Sequence, residues 1–184
     1  MTPLPTVDVQ RIEDTVKAIE ESPQLANVSF TLHSDWAGNF RGNSRTGVFR
    51  QAGSVDETRN VQFELDSDEP PALLGDDSAP SAGDYVLKAL AACYAVTFAA
   101  NAAAQGIELE SLHFDLEGDF DLHGFLGLDE TVRPGMKELR VTVSAESPNA
   151  NREQLQNLVE TVQERSPIRD TLANPVPVRT VLAD

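Results

Sequence analysis

The chain has 184 residues, enough for one domain that buries its own core without a metal or disulfide to staple it. Acidic residues outnumber basic ones 30 to 14, for a net charge of −16. A surface of that sign repels phosphate backbones and anionic lipid, which excludes nucleic acid and argues against a membrane surface as partner. The charge itself is explained by solubility. The single cysteine excludes an internal disulfide, and the stretch Met1–Pro5 has neither the positive nor the apolar region of a secretory signal. The expected location is the cytoplasm.

In chain order, Asp8–Glu21 is predicted as a helix with Val9, Ile12, Val16 and Ile19 on one stripe, capped by Thr6 or Asp8 and ended by Pro23. Val28–Leu65 is predicted as β structure. Residues 28–32 and 61–65 alternate, and Gly38, Gly42, Gly47 and Gly53 punctuate the turns between. Asp66–Pro80 is an acidic, proline-rich loop, and a loop of that length usually carries a function.

Ser81–Gln105 is predicted as a long central helix, with Ser81 as N-cap and Gly106 as stop. Its apolar part is alanine-rich and interrupted by Thr97 and Asn101, which fits a core helix rather than a membrane span. Ile107–Leu122 is predicted as a strand with Leu112, Phe114 and Leu116 on one face and His113, Asp115 and Glu117 on the other. A strand over Leu139–Ala145 follows, then a helix over Asn151–Arg165 opened by a capping box of Asn151 and Gln154. Ser166-Pro167 opens a short helix toward Leu172, and Val176–Leu182 is predicted as a closing strand. Strands cluster instead of alternating with helices, so the fold class is α+β. Residues 1–27 form an N-terminal helical extension in this reading, and 28–184 the main domain.

The one residue with distinctive chemistry is Cys93. A lone cysteine on an apolar helix face usually packs as a small hydrophobe. A reactive one needs a cation or a helix N-terminus to stabilise its thiolate. Cys93 lies too deep in the central helix for its first turn to help, and Lys88 points to another face. Between Asn60 and Val132, Lys88 is the only basic residue among fifteen acids. A reactive Cys93 therefore draws an arginine from elsewhere, and the nearest upstream are Arg41, Arg45 and Arg50. His113 and His123 lack zinc-ligand spacing, and His33 has no partner pattern. No Gly-x-Ser-x-Gly elbow or phosphate-binding glycine loop occurs. Neither metal nor cofactor is expected.

The loop Glu69-Pro70-Pro71-Ala72-Leu73-Leu74-Gly75-Asp76-Asp77, followed by Ala79-Pro80-Ser81-Ala82-Gly83-Asp84-Tyr85-Val86-Leu87-Lys88-Ala89-Leu90-Ala91-Ala92-Cys93, resembles the cysteine helix of the OsmC/Ohr family. Gly106-Ile107 with the acidic strand after it, and Arg165-Ser166-Pro167-Ile168, resemble later family elements. The resemblance spans about Val28 to Leu182. It implies antiparallel sheets around a long central helix in an intertwined homodimer. It also implies a peroxiredoxin-like thiol chemistry in oxidative-stress defence, with organic hydroperoxides as substrates. On this resemblance Cys93 is the peroxidatic thiol and Arg41, with Arg45 as fallback, the activating cation. Asp84 stands at the place of a glutamate that orients the arginine. Ser166 stands where the family often carries a second, resolving cysteine, so turnover would draw on an external thiol reductant. The alternative on the same fold is a non-catalytic protein that holds a small apolar ligand at the dimer groove.

Overall fold

A computed structural model describes residues 7–183 of the chain. It divides into two compact units, Asp8–Val86 and Leu87 onward. Thr6, one of the two capping candidates, lies outside the described residues.

In the first unit, helix α1 spans Val9–Glu21, and its N-cap is Asp8, whose carboxylate accepts the Arg11 amide at 3.4 Å. The β segment is broken into short pieces. Strands β1 (Val28–Ser29), β4 (Arg50–Gln51) and β5 (Ser54–Val55) pair antiparallel in the order β1-β4-β5. Strands β2 (Leu32–Trp36) and β3 (Gly42–Thr46) form a hairpin in register from Leu32↔Thr46 to Trp36↔Gly42. Gly38 and Asn39 adopt left-handed backbone at its tip, and the Trp36 indole donates to the Asn39 carbonyl at 3.0 Å. This turn delivers Arg41 at the entrance of β3. The expected strand around 61–65 runs beside β3 through isolated bridges, Arg45↔Glu64 and Gly42↔Ser67, instead of a continuous ladder.

Helix α2, Ala82–Ala104, begins in the first unit and continues into the second. In the second unit it buries Leu90, Tyr94, Phe98 and Ala102, a run at i, i+4, i+8 and i+12 that forms one face of the helix. That face meets Leu158 and Val162 of α4 (Arg152–Arg165), together with Ile107. Strands β6 (Ser111–Asp119) and β7 (Glu138–Glu146) pair antiparallel and turn Leu112, Phe114, Leu116, Val141 and Val143 toward the same core. Phe114 packs on both Phe98 and Tyr94, at centroid distances of 5.5 and 6.1 Å. On the outer face Arg140 bonds to Glu117, Asp119 and Glu138, so the acidic stripe is partly neutralised across the ladder.

The α4 capping box forms as expected, with Asn151 and Gln154 exchanging hydrogen bonds at 2.9 Å. The strands differ from expectation at several points, and β6 begins at Ser111 instead of Ile107. The strand expected to reach Leu122 stops at Asp119, because Asp121 caps a short helix, α3 (Leu122–Phe125), by accepting the His123 amide. The closing strand over Val176–Leu182 is absent, and that segment has no regular structure. Pro175 and Pro177 cannot donate to a ladder. Val178, Val181 and Leu182 are left exposed.

Candidate active site

Cys93 lies on α2 between the buried Leu90 and Tyr94 positions; it is a free cysteine and a half-buried residue. Its sulfur is met by one side chain from the corner between α4 and α5 (Pro167–Ala173): the Ser166 hydroxyl donates to Sγ at 3.2 Å. Ser166 is 1 % exposed. Its position is fixed twice over. Its amide donates to Val162 O at the end of α4 at 2.9 Å, and its Oγ caps α5 by accepting the Arg169 amide at 3.3 Å. One turn along α2, Thr97 Oγ1 donates to the Cys93 carbonyl, and Asn101 accepts from the Arg165 guanidinium at 3.0 Å. The bonds from Arg165 and Ser166 hold the α4–α5 corner against the cysteine turn of α2. Burial pushes the Tyr94 phenol above its ordinary pKa, and the Arg169 guanidinium beside it opposes that rise.

The candidate cation Arg41 lies in the first unit, where its partners are carboxylates of the acidic loop. It pairs with Asp76, and its Nε lies 3.8 Å from Asp68 Oδ2. Asp68 is the organising group. It is 2 % exposed and accepts the amides of Glu69, Asp76 and Ser78 and the Ser78 hydroxyl, at 2.8, 3.2, 3.0 and 2.7 Å. Those bonds stabilise the ionised form and hold its pKa at about 2 against the opposing effect of burial. The loop closes tightly enough that a side chain at Gly75 would collide with the Glu69 carbonyl. Leu74 and Asp77 adopt left-handed backbone on either side of it, which non-glycine residues do only when held there.

Asp84, expected to orient the arginine, is engaged at the start of α2. Its carboxylate accepts the Ser81 amide and hydroxyl at 2.9 and 2.7 Å, and the Ser81 Oγ accepts the Asp84 amide. This reciprocal cap lowers its pKa, chiefly through the Ser81 hydroxyl. The carboxylates that face Arg41 in this structure are Asp68 and Asp76. Arg45, the fallback cation, sits mid-strand in β3 opposite His33 and bridges to Glu64.

Sequence reasoning did not single out Asp68 or Arg169. No spacing rule distinguishes Asp68 from its acidic neighbours. Arg169 was detectable as the residue one helical turn beyond the Ser166 cap. Among the described residues no group of His, Cys, Asp and Glu is placed to hold a metal.

Residues 75–181, more than half of the chain, match the family model for OsmC-like protein. The chain belongs to the OsmC-like family. The matched region contains Asp76, Asp84, Cys93, Ser166 and Arg169, whereas Arg41 and Asp68 precede it. Comparison with curated proteins gives no match. Among solved structures, the OsmC-like protein of Mycoplasma pneumoniae is similar at a TM-score of 0.60 and 18 % identity, over 80 % of this chain and 89 % of that one. An organic hydroperoxide resistance protein OsmC of Legionella pneumophila is similar at 0.53 and 19 %, over 78 % and 88 %. The organic hydroperoxide resistance protein OhrB of Bacillus subtilis is similar at 0.50 and 16 %, over 80 % and 92 %. At these identities the likeness shows the fold: a mixed α+β chain with small antiparallel sheets and one long helix. In this OsmC-like chain that helix is α2, the helix that carries Cys93.

Proposed function

We propose that this OsmC-like protein reduces organic hydroperoxides in the cytoplasm, using Cys93 as its single peroxidatic thiol and an external thiol as reductant. The observation that carries this reading is the state of Cys93. It lies in the matched family region, is partly exposed, and has a polar hydroxyl on its sulfur. An inert core cysteine would be sealed among apolar groups. The likeness to two organic hydroperoxide resistance proteins supports organic hydroperoxides as the substrate class.

In the reaction the Cys93 thiolate attacks the terminal oxygen of R–O–O–H. An S–O bond forms as the O–O bond breaks, two electrons pass from sulfur to the peroxide, and the departing alkoxide takes a proton to become the alcohol. The product on the protein is a sulfenic acid. With serine at position 166, no cysteine of this chain can condense with it. An external thiol attacks instead, releasing water and leaving a mixed disulfide, and a second thiol then frees Cys93 and departs as the disulfide.

The family resemblance assigns Arg41 the role of the fixed cation, since a guanidinium keeps its charge throughout and stabilises charge on the leaving oxygen. Asp68 takes over the orienting role that the resemblance gives to Asp84, because Asp68 and Asp76 are the carboxylates paired with Arg41. Two copies form a homodimer. Exposed Ala92 and Val96 on α2, and Val178, Val181 and Leu182, supply apolar surface for it.

Consumption of cumene hydroperoxide with a dithiol reductant tests the reading. Peroxide loss that depends on the protein and disappears in Cys93→Ser supports it. Equal loss with and without the protein overturns it.

A further inference from the structure

We infer that Ser166 is a positioning residue for Cys93: its hydroxyl hydrogen is committed to the sulfur, favouring the thiolate and holding it on the α5 side of α2. The inference rests on the proposed thiol chemistry and names the group within Leu87 onward that tunes it. A serine hydroxyl has one hydrogen to give and lone pairs to accept with. Oγ accepts the Arg169 amide at 3.3 Å with one lone pair, and toward an ionised sulfur, which has no hydrogen to give, the hydroxyl can only donate. Ser166 is 1 % exposed, which leaves little access for water as an alternative acceptor. The remaining hydrogen points to Cys93 Sγ at 3.2 Å. A donor fixed on sulfur stabilises S⁻ more than SH, since hydrogen bonds to an ionised acceptor are the stronger kind.

This bears on what the sequence left unexplained. Cys93 lies on a stretch whose only basic residue is Lys88, and it is beyond the first turn of α2. The α4–α5 corner brings a donor to it from 73 residues away. The structure places Tyr94 of α2, Arg169 of α5 and Arg165 at the end of α4, which is engaged by Asn101, at this corner. A guanidinium keeps its charge across an ordinary pH scan. Tyr94 titrates above its ordinary range. A thiol titration is therefore read without interference from these groups.

The test is thiol–disulfide exchange of the full chain with dithiodipyridine, followed across pH for the wild type, Ser166→Gly, Ser166→Ala and Ser166→Thr. Glycine removes the hydroxyl at little cost to the helix cap, which keeps the experiment valid if alanine unfolds the corner. Loss of the donor moves the midpoint of the rate profile upward by about one pH unit, which is about a tenfold loss of thiolate near neutral pH. The thiolate that remains is about threefold more nucleophilic. The glycine and alanine variants are then about threefold slower near neutral pH and about threefold faster at the alkaline plateau. Threonine, which keeps the hydroxyl, retains the wild-type midpoint.

Crossing profiles are the signature, because a purely structural defect scales the rates without moving the midpoint. An unchanged midpoint in both Ser166→Gly and Ser166→Ala overturns the inference. The two readings fail separately. A wild type that reduces peroxide while these variants keep its midpoint sinks the role of Ser166 alone. Crossing profiles in a protein inert to peroxide uphold the role and sink the peroxidase.

Discussion

The Ser166 oxygen lies 3.2 Å from the Cys93 sulfur, at the position where two-cysteine relatives are expected to place their second thiol. Changing one atom at that point should change the fate of the oxidised protein. In Ser166→Cys, a sulfenic acid on Cys93 meets a thiol in contact range and condenses to an internal disulfide with loss of water. One equivalent of peroxide is expected to leave no titratable thiol in that variant. Intact mass should fall by two hydrogens rather than rise by an oxygen. In the wild type, excess peroxide is expected to carry Cys93 on to the sulfinic acid. A Ser166→Cys variant that gains oxygen instead would show that the two positions do not meet in solution.

The loop around Asp68 should be acid-sensitive in a defined direction. Its carboxyl is held at about 2 in the folded chain, below the ordinary 3.8, so its contribution to stability is fully present above the ordinary value. That contribution is lost as pH falls from about 4 toward 2. Amide hydrogen exchange at Asp76 and Ser78, whose N–H groups donate to Asp68, is expected to lose protection over that window. Asp68→Ala should show the unprotected behaviour already at neutral pH. Equal protection in the variant would mean that the loop is held by something other than Asp68.

The substitution Arg41→Lys separates charge from shape. Lysine keeps the positive charge but not the planar fork that spans Asp68 and Asp76. If Arg41 is the cation of the reaction, Arg41→Lys should lower the rate of peroxide reduction at least about tenfold while leaving the melting temperature within a few degrees. Arg45→Lys, mid-strand in β3, should leave the rate near wild type. The reverse ranking would transfer the role to Arg45.

Phe98 anchors the second unit. It is 1 % exposed and packs with its ring tilted against Phe114. Phe98→Ala should cost about 3–5 kcal/mol in denaturant unfolding, through lost transfer energy and the cavity left behind. A cost below about 1 kcal/mol would mean that the α2–β6 packing is looser than described.

The sequence carried the elements with strong periodicity or explicit caps. α1, α2, α4 and α5 were legible because Asp8, Ser166, Asn151 and Gly106 mark their ends and their apolar residues recur at helical spacing. The β6–β7 ladder was legible from strict alternation. The closing strand was misread for a physical reason. Alternation at Val176 and Val178 measures the capacity to pair, and Pro175 and Pro177 remove two of the amide donors that a ladder would use.

The site was legible only at Cys93 and, through family resemblance, at Ser166. The Ser166 contact itself joins residues 73 apart in sequence, and the partners of Asp68 depend on a loop closure that no local rule encodes. Asp84 illustrates the same limit. Its spacing from Ser81 fits a helix cap as well as an arginine partner, and the cap is what forms.

Whether the Cys93 sulfur itself reacts with a hydroperoxide is decided by the intact mass of the reduced protein after one equivalent of cumene hydroperoxide in the presence of dimedone. A single dimedone adduct on Cys93 is expected, formed only after peroxide and absent from Cys93→Ser. An unmodified mass with the peroxide unconsumed would contradict a peroxidatic Cys93.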